Sequence, residues 1–168
     1  GSIAPGITSY QMLIEALKTE DNRLTDLQEE IVAVGFDPIY FSDQPRLTRH
    51  HLDQVSKIRP IYIQHASGHL ATVNSKMLEK NGVTRDSRVE GLGRDANGEL
   101  DGELREPPAM SLCKSGHRTV MFSNNTEVAL RDFGAMARNA GITTCTDLAG
   151  SAILAPKLLE MWHQVTSD

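Results

Sequence analysis

Apolar positions in this 168-residue chain switch repeatedly between helical and extended spacing. Tyr10, Leu13, Ile14 and Leu17 recur at the steps of one helix face, and Thr8-Ser-Tyr-Gln11 before them reads as a capping box. A short run from Asp26 to Glu30 leads into IVAVGF (31–36), which has the β-branched content and length of a buried strand. Asp37-Pro38 closes it. Thr48 is expected to cap a helical turn running through Val55, and Arg59-Pro60 introduces a second strand, IYIQ (61–64).

Further on, Val73, Met77 and Leu78 predict a helix over 70–80, stopped by Asn81-Gly82. On that reading His65 ends a strand and His69 lies at the mouth of a helix. The glycine-rich stretch 88–106 is divided by Asp95-Ala-Asn-Gly98 and predicts a hairpin. Residues 107–123 carry two prolines and little periodicity, so a long connection is expected. Asn124 or Asn125 should cap a helix reaching Ala140, with Leu130, Phe133, Ala137 and Ala140 on one face, ended by Gly141. ITTCTDL (142–148) reads as a strand, and Pro156 can start a final helix without interrupting it.

A net charge of -5, a pI near 5.7 and the lack of any Lys/Arg run argue against nucleic acid or an anionic membrane as partner. Two cysteines, Cys113 and Cys145, form no ligand box or disulfide framework, which favours a reducing compartment and a cytoplasmic location. Gly1-Ser2 reads as an expression scar, so the start of the gene is expected upstream.

Histidine is where chemistry is first sought. His65 and His69 stand four apart, but two histidines at that spacing share a metal only on one helix face, and Gly68 interrupts such a helix. His50 and His51 read as a solvated helix face. His117 follows Cys113 by four residues without a third orienting group, so a Cys-His nucleophile pair lacks support. Ser67 lacks the first glycine of a nucleophile elbow, and the glycines of GLGRDANG do not link a strand to a helix as a dinucleotide fingerprint does. Glu103 and Glu106 offer acid-base groups, but exposed carboxylates are usually only solvated.

The order of segments says more. Gly35-Phe-Asp-Pro38, Leu52-Asp-Gln-Val-Ser56, the block RPxxxxxxxGHxxxVNSxxL from Arg59 to Leu78, the block GExxGxLRE from Gly98 to Glu106, and Gly141-Ile-Thr-Thr-Cys-Thr-Asp147 follow one another. In that order they resemble the amidohydrolase family 3 branch of the metal-dependent amidohydrolase superfamily, which includes N-substituted formamide deformylases. The resemblance implies a metal-dependent hydrolase of non-peptide carbon-nitrogen bonds, a small-molecule amide-type substrate and a divalent metal, zinc foremost. A complete TIM-like barrel takes about 250 residues. The chain is therefore expected to be an internal fragment, inactive alone, partnered by the rest of its parent and prone to self-association.

The resemblance assigns no catalytic residue and no metal ligand to this chain. It implies substrate-binding roles for His69, Glu106 and Asp147, and a structural role for Asn74 and Ser75 in the turn from strand to helix. His65 matches no fixed feature of the family. The expected fold is α+β: a small mixed or antiparallel sheet flanked by helices, with a helix-strand-helix remnant of the barrel. Residues 1–123 would form an insertion or substrate-pocket domain with its hairpin near 88–106, and 124–168 the helix-strand-helix unit. Two other readings stay open: a non-catalytic ligand- or protein-binding domain, and part of a superfamily deaminase.

Overall fold

The structure, a computed structural model, describes residues 3, 6–122, 127–146 and 156–166. Two units divide the chain, Gly1–Val120 and Met121–Asp168.

In the first unit, helix α1 (Tyr10–Arg23) buries Tyr10, Leu13 and Leu17, the face given by their spacing. Its cap is Ser9 rather than Thr8. Ser9 Oγ accepts the Met12 N–H at 3.2 Å, which puts Gln11 one residue too early to close a capping box; its amide donates to Glu15 instead. Strand β1 (Ile31–Phe36) follows, then a 3-10 turn over Pro38–Phe41 whose cap, Asp37, accepts from the Ile39 N–H at 3.1 Å. Helix α2 (Arg49–Leu52) starts after Thr48, and the Thr48 N–H donates to His51 Nδ1 at 3.0 Å. The pair expected on a solvated face is thus split: His50 is exposed, while His51 is half-buried with its ring 4.8 Å from that of Tyr10.

Strand β2 (Ile61–His65) is followed by a departure from the periodicity. Leu70–Val73 is a strand, β3, and only Ser75–Lys80 is helix, α3. Helical spacing of Val73, Met77 and Leu78 describes α3 and the residue leading to it, but Leu70–Val73 pairs antiparallel with β2, Tyr62 facing Val73 and Gln64 facing Ala71. Long-range pairing decided that segment, as it often does for short apolar runs. Consequently His69 lies in the turn between two strands and not at a helix mouth. The expected hairpin forms from β4 (Leu92–Arg94) and β5 (Leu100–Arg105). The long connection after it is mostly helical, as α4 (Glu106–Met110) and α5 (Lys114–Phe122).

The strands form one mixed sheet in the order β1-β2-β3-β5-β4, with β1 and β2 parallel and every other pair antiparallel. β2 opens with three successive buried apolar residues because both its faces are covered. Ile61 and Ile63 join a core with Leu13, Phe36, Phe41 and Leu52, while Tyr62 joins a second with Val73, Met77, Leu104 and Met110.

Arg59, the arginine of the RP block, is 1% exposed and anchors this sheet from below. Its guanidinium reaches Asp21 on α1 at 2.5 Å and donates to the carbonyls of Leu24, Asp26 and Glu29. A buried charge with four of its five donors engaged is a bracket whose removal would strand its partners. Gly102, the second glycine of the GExxGxLRE block, has φ +93, and a Cβ there would lie 2.4 Å from Val73 O and 2.8 Å from Arg49 Cβ. β5 can therefore approach β3 and α2 only without a side chain at this position. Gly102→Ala is expected to destabilise the chain by about 2–3 kcal/mol, read as a lower urea midpoint.

In the second unit, α6 (Glu127–Asn139) ends where Gly141 takes φ +73, and α7 (Pro156–Thr166) packs with it. Of the expected apolar face, Ala137 is buried but Phe133 and Ala140 are exposed. Residues 142–146 form no strand, contrary to their composition; 147 and 148 lie outside the described residues, as do the expected caps Asn124 and Asn125. The β-branched run predicts a strand only if a neighbouring strand accepts its backbone bonds, and the described residues of this unit include no strand. No helix among the described residues is long and apolar enough to cross a membrane.

Candidate functional site

The β2–β3 turn, Ala66–His69, and the end of β5 meet at one end of the sheet. Leu70 faces Arg105 in the β3–β5 register, so the residues just outside that pair, His69 and Glu106, come together. The Glu106 N–H donates to the His69 carbonyl at 2.8 Å, and His69 Nδ1 lies 2.9 Å from Glu106 Oε2. Two bonds thus join the same two residues, one between main chains and one between side chains. Both side chains are open to solvent, at 68% and 62% exposure. Ser67 Oγ accepts the His69 N–H at 3.3 Å and supports the turn.

Glu106 has φ +62 and is the one non-glycine residue with positive φ among those described. Pro107 disfavours the right-handed α conformation at the residue before it, where extended backbone is the usual result. The left-handed alternative costs about 1–2 kcal/mol for a residue with a Cβ, whereas a side-chain pair as exposed as this one contributes at most about 1 kcal/mol. Stability alone would favour glycine here. Strain held at an exposed carboxylate beside an imidazole points to a demand other than folding.

Behind this pair lies a buried polar layer. His65 is 5% exposed; its Nε2 is 2.9 Å from Thr72 Oγ1, its ring packs edge-on to Phe36 at 4.8 Å, and its Nδ1 is buried without a hydrogen-bond partner. Nε2–H donating to Thr72 is the better tautomer, since it leaves a bare lone pair in the interior rather than an orphaned N–H. Burial pulls the His65 imidazole down to about 4; the negative charge of Glu103 works against that shift, and Arg46 adds to it. Glu103 itself is 4% exposed and paired with both Arg46 and Arg105, so it is not the solvated carboxylate expected from its hairpin position.

The remaining candidates separate cleanly. Cys113 is buried, and burial first, with Glu30 second, pushes its thiol up to about 12, which suits packing and not nucleophilic attack. His117 turns to Tyr62, Nδ1 to hydroxyl at 3.4 Å. Asn74 and Ser75 hold the strand-to-helix turn: Asn74 caps α3 through Met77 N–H, and Ser75 donates from Oγ to Asp53 Oδ2 at 2.7 Å. Asp147 lies outside the described residues. His69 and Glu106 are brought together; the sequence blocks named both, but their pairing is a product of register.

Among the described residues no three His, Cys, Asp or Glu side chains gather as the ligands of a metal would. The described residues therefore do not fit the role of holding a metal by themselves.

Comparison with known proteins bears on the whole chain. It is 29% identical over 101 residues to "Putative amidohydrolase YtcJ" of Bacillus subtilis (strain 168), a match that covers 58% of this chain and 19% of that protein. Two solved structures are similar: an uncharacterized metal-dependent hydrolase from Pyrococcus horikoshii OT3 (TM-score 0.46, 22% identity, 70% of this chain and 20% of that one) and another from Pyrococcus furiosus (TM-score 0.48, 20% identity, 76% and 22%). The chain spans about a fifth of the length of each of these proteins. The family profile described as "Amidohydrolase family" matches residues 3–167, nearly the full length, and the chain belongs to that family.

Proposed function

We propose that the chain is the substrate-facing part of a metal-dependent hydrolase that cleaves carbon-nitrogen bonds other than peptide bonds, with a small amide as substrate. The observation that carries this reading is the strained, exposed Glu106 tied twice to His69, in a chain belonging to the amidohydrolase family. A divalent ion, zinc foremost, would supply a polarised carbonyl and an activated water in such an enzyme. The described residues contribute binding and orientation. His69 and Glu106 present an imidazole and a carboxylate to a polar group of the substrate, and the substrate-binding role of Asp147 rests on its place in the Gly141–Asp147 block alone. Substrates of the N-substituted formamide kind fit this reading, because they offer one amide hydrogen and one carbonyl to an imidazole and a carboxylate.

The test uses the intact gene product. It is expected to hydrolyse N-formyl or N-acyl amines in a reaction abolished by chelation and restored by zinc. His69→Ala should lower kcat/KM by about 10- to 100-fold, the loss of one hydrogen bond to a polar substrate group. An intact protein that binds such amides without turning them over would instead support a binding domain. Release of ammonia from a ring amidine, with no amide hydrolysis, would support a deaminase.

A further inference from the structure

We infer that Glu106 is a positioning residue: it holds His69 as the Nδ1–H tautomer, so that Nε2 stands as a hydrogen-bond acceptor, and the substrate is a group that brings an N–H to it. This inference rests on the amidohydrolase reading for its substrate and on geometry for everything else.

A neutral imidazole has one donor nitrogen and one acceptor nitrogen, and the group bonded to one decides the role of the other. His69 Nδ1 is 2.9 Å from Glu106 Oε2. A carboxylate only accepts, so Nδ1 must carry the proton and Nε2 is left with a lone pair. The backbone that carries this carboxylate is fixed beside His69. It is bonded to the His69 carbonyl at 2.8 Å and held at φ +62 ahead of Pro107. The His69 ring is meanwhile carried on a tight turn supported by Ser67. His65 offers a contrast within the same stretch: its Nε2 faces the Thr72 hydroxyl in the interior, where no substrate can reach it.

An acceptor at Nε2 selects for donors. A secondary or primary amide has an N–H that can point at it, while an N,N-disubstituted amide places a carbon there. The discarded partner in that case is an acceptor left unpaired against an apolar group, the arrangement by which binding sites reject close analogues.

Two measurements decide the matter. The first is the long-range nitrogen-proton NMR spectrum of the histidine side chains of this chain at about pH 8, above the ordinary imidazole range. His69 is expected as Nδ1–H, to lose part of that bias in Glu106→Gln, whose amide can either accept from Nδ1–H or donate to a bare Nδ1, and to shift toward Nε2–H in Glu106→Gly, which suits the left-handed backbone and keeps the fold. A dominant Nε2–H form in the unmodified chain, or a tautomer indifferent to Glu106→Gly, would overturn the inference. The second is the rate of the intact protein on an N-methyl amide against its N,N-dimethyl counterpart, expected to favour the former by about 10- to 100-fold. Equal rates on both would overturn it too. Absence of hydrolysis on either would overturn the amidohydrolase reading instead, a result the spectrum does not depend on.

Discussion

Asn74→Ala is expected to cost the chain on the order of 4 kcal/mol, a large share of its stability. This side chain is buried at 0% exposure and uses all its hydrogen-bonding capacity. Its Oδ1 accepts the Ile61 N–H at 3.0 Å and the Met77 N–H at 2.9 Å; its Nδ2 donates to the carbonyls of Ser56 and Arg59, both at 2.9 Å. One amide therefore fixes the start of β2, the loop before it and the cap of α3. Each bond contributes roughly 1 kcal/mol net, and a stranded buried group costs more than that, so the loss is on the order of 4 kcal/mol or above. A domain of this size has about 5–15 kcal/mol in all. Asn74→Asp makes the sharper comparison. Aspartate keeps the acceptor oxygen but puts a second oxygen, charged at neutral pH, against two carbonyls. It should be at least as destabilising as alanine at pH 7 and should recover partly in acid, when the carboxyl protonates and can donate once. Urea midpoints of the three chains at about pH 7 and pH 5 would show it; an Asn74→Ala chain with an unchanged midpoint would remove Asn74 as the hub of this turn.

Acid is expected to unfold the chain through His65. Its imidazole titrates near 4 in the folded state, chiefly because burial opposes the charge, against an ordinary value of 6.5. Between those two values the unfolded chain binds the proton and the folded chain does not. Stability therefore rises with pH across this window: the contribution is complete above about 6.5 and is lost progressively as the pH falls toward 4. Integrated over the window, the loss approaches 3 kcal/mol, taking about 1.4 kcal/mol for each unit. Burial lowers His51 and His117 in the same direction, so some acid sensitivity will remain without His65. His65→Gln, which can still donate to Thr72, should remove most of the difference in unfolding free energy between pH 7 and pH 4.5. An equally steep dependence in that variant would assign the effect to the other groups.

Much of this protein was readable from local chemistry. The apolar face of α1 follows from side chains three and four apart, β1 from a β-branched run too short for a helix, the β4–β5 hairpin from Asp95 to Gly98, and the end of α6 from a glycine free to take positive φ. The segments that misled are those whose partner lies far off in sequence. Leu70–Val73 has helical spacing with α3 but is held as a strand by β2 on one side and β5 on the other. Residues 142–146 have strand composition without strand structure.

The candidate site divides in the same way. Its residue types and their order, the GH of Gly68-His69 and the closing Glu106 of the GExxGxLRE block, stand in the sequence and place the chain in its family. Which histidine would face solvent did not. Tertiary structure decided it, because His65 ends β2 inside the packed sheet, where burial penalises a charge, whereas His69 lies in the β2–β3 turn: His65 was turned inward to Thr72 and held neutral, while His69 was left in water. Thirty-seven residues separate His69 from Glu106, and only the register of β3 on β5 closes that distance. The sequence by itself determined α1, α2, α6 and α7, most strands and the chemical inventory, since these depend on neighbours along the chain; the pairing of that inventory into a site depended on neighbours across the sheet.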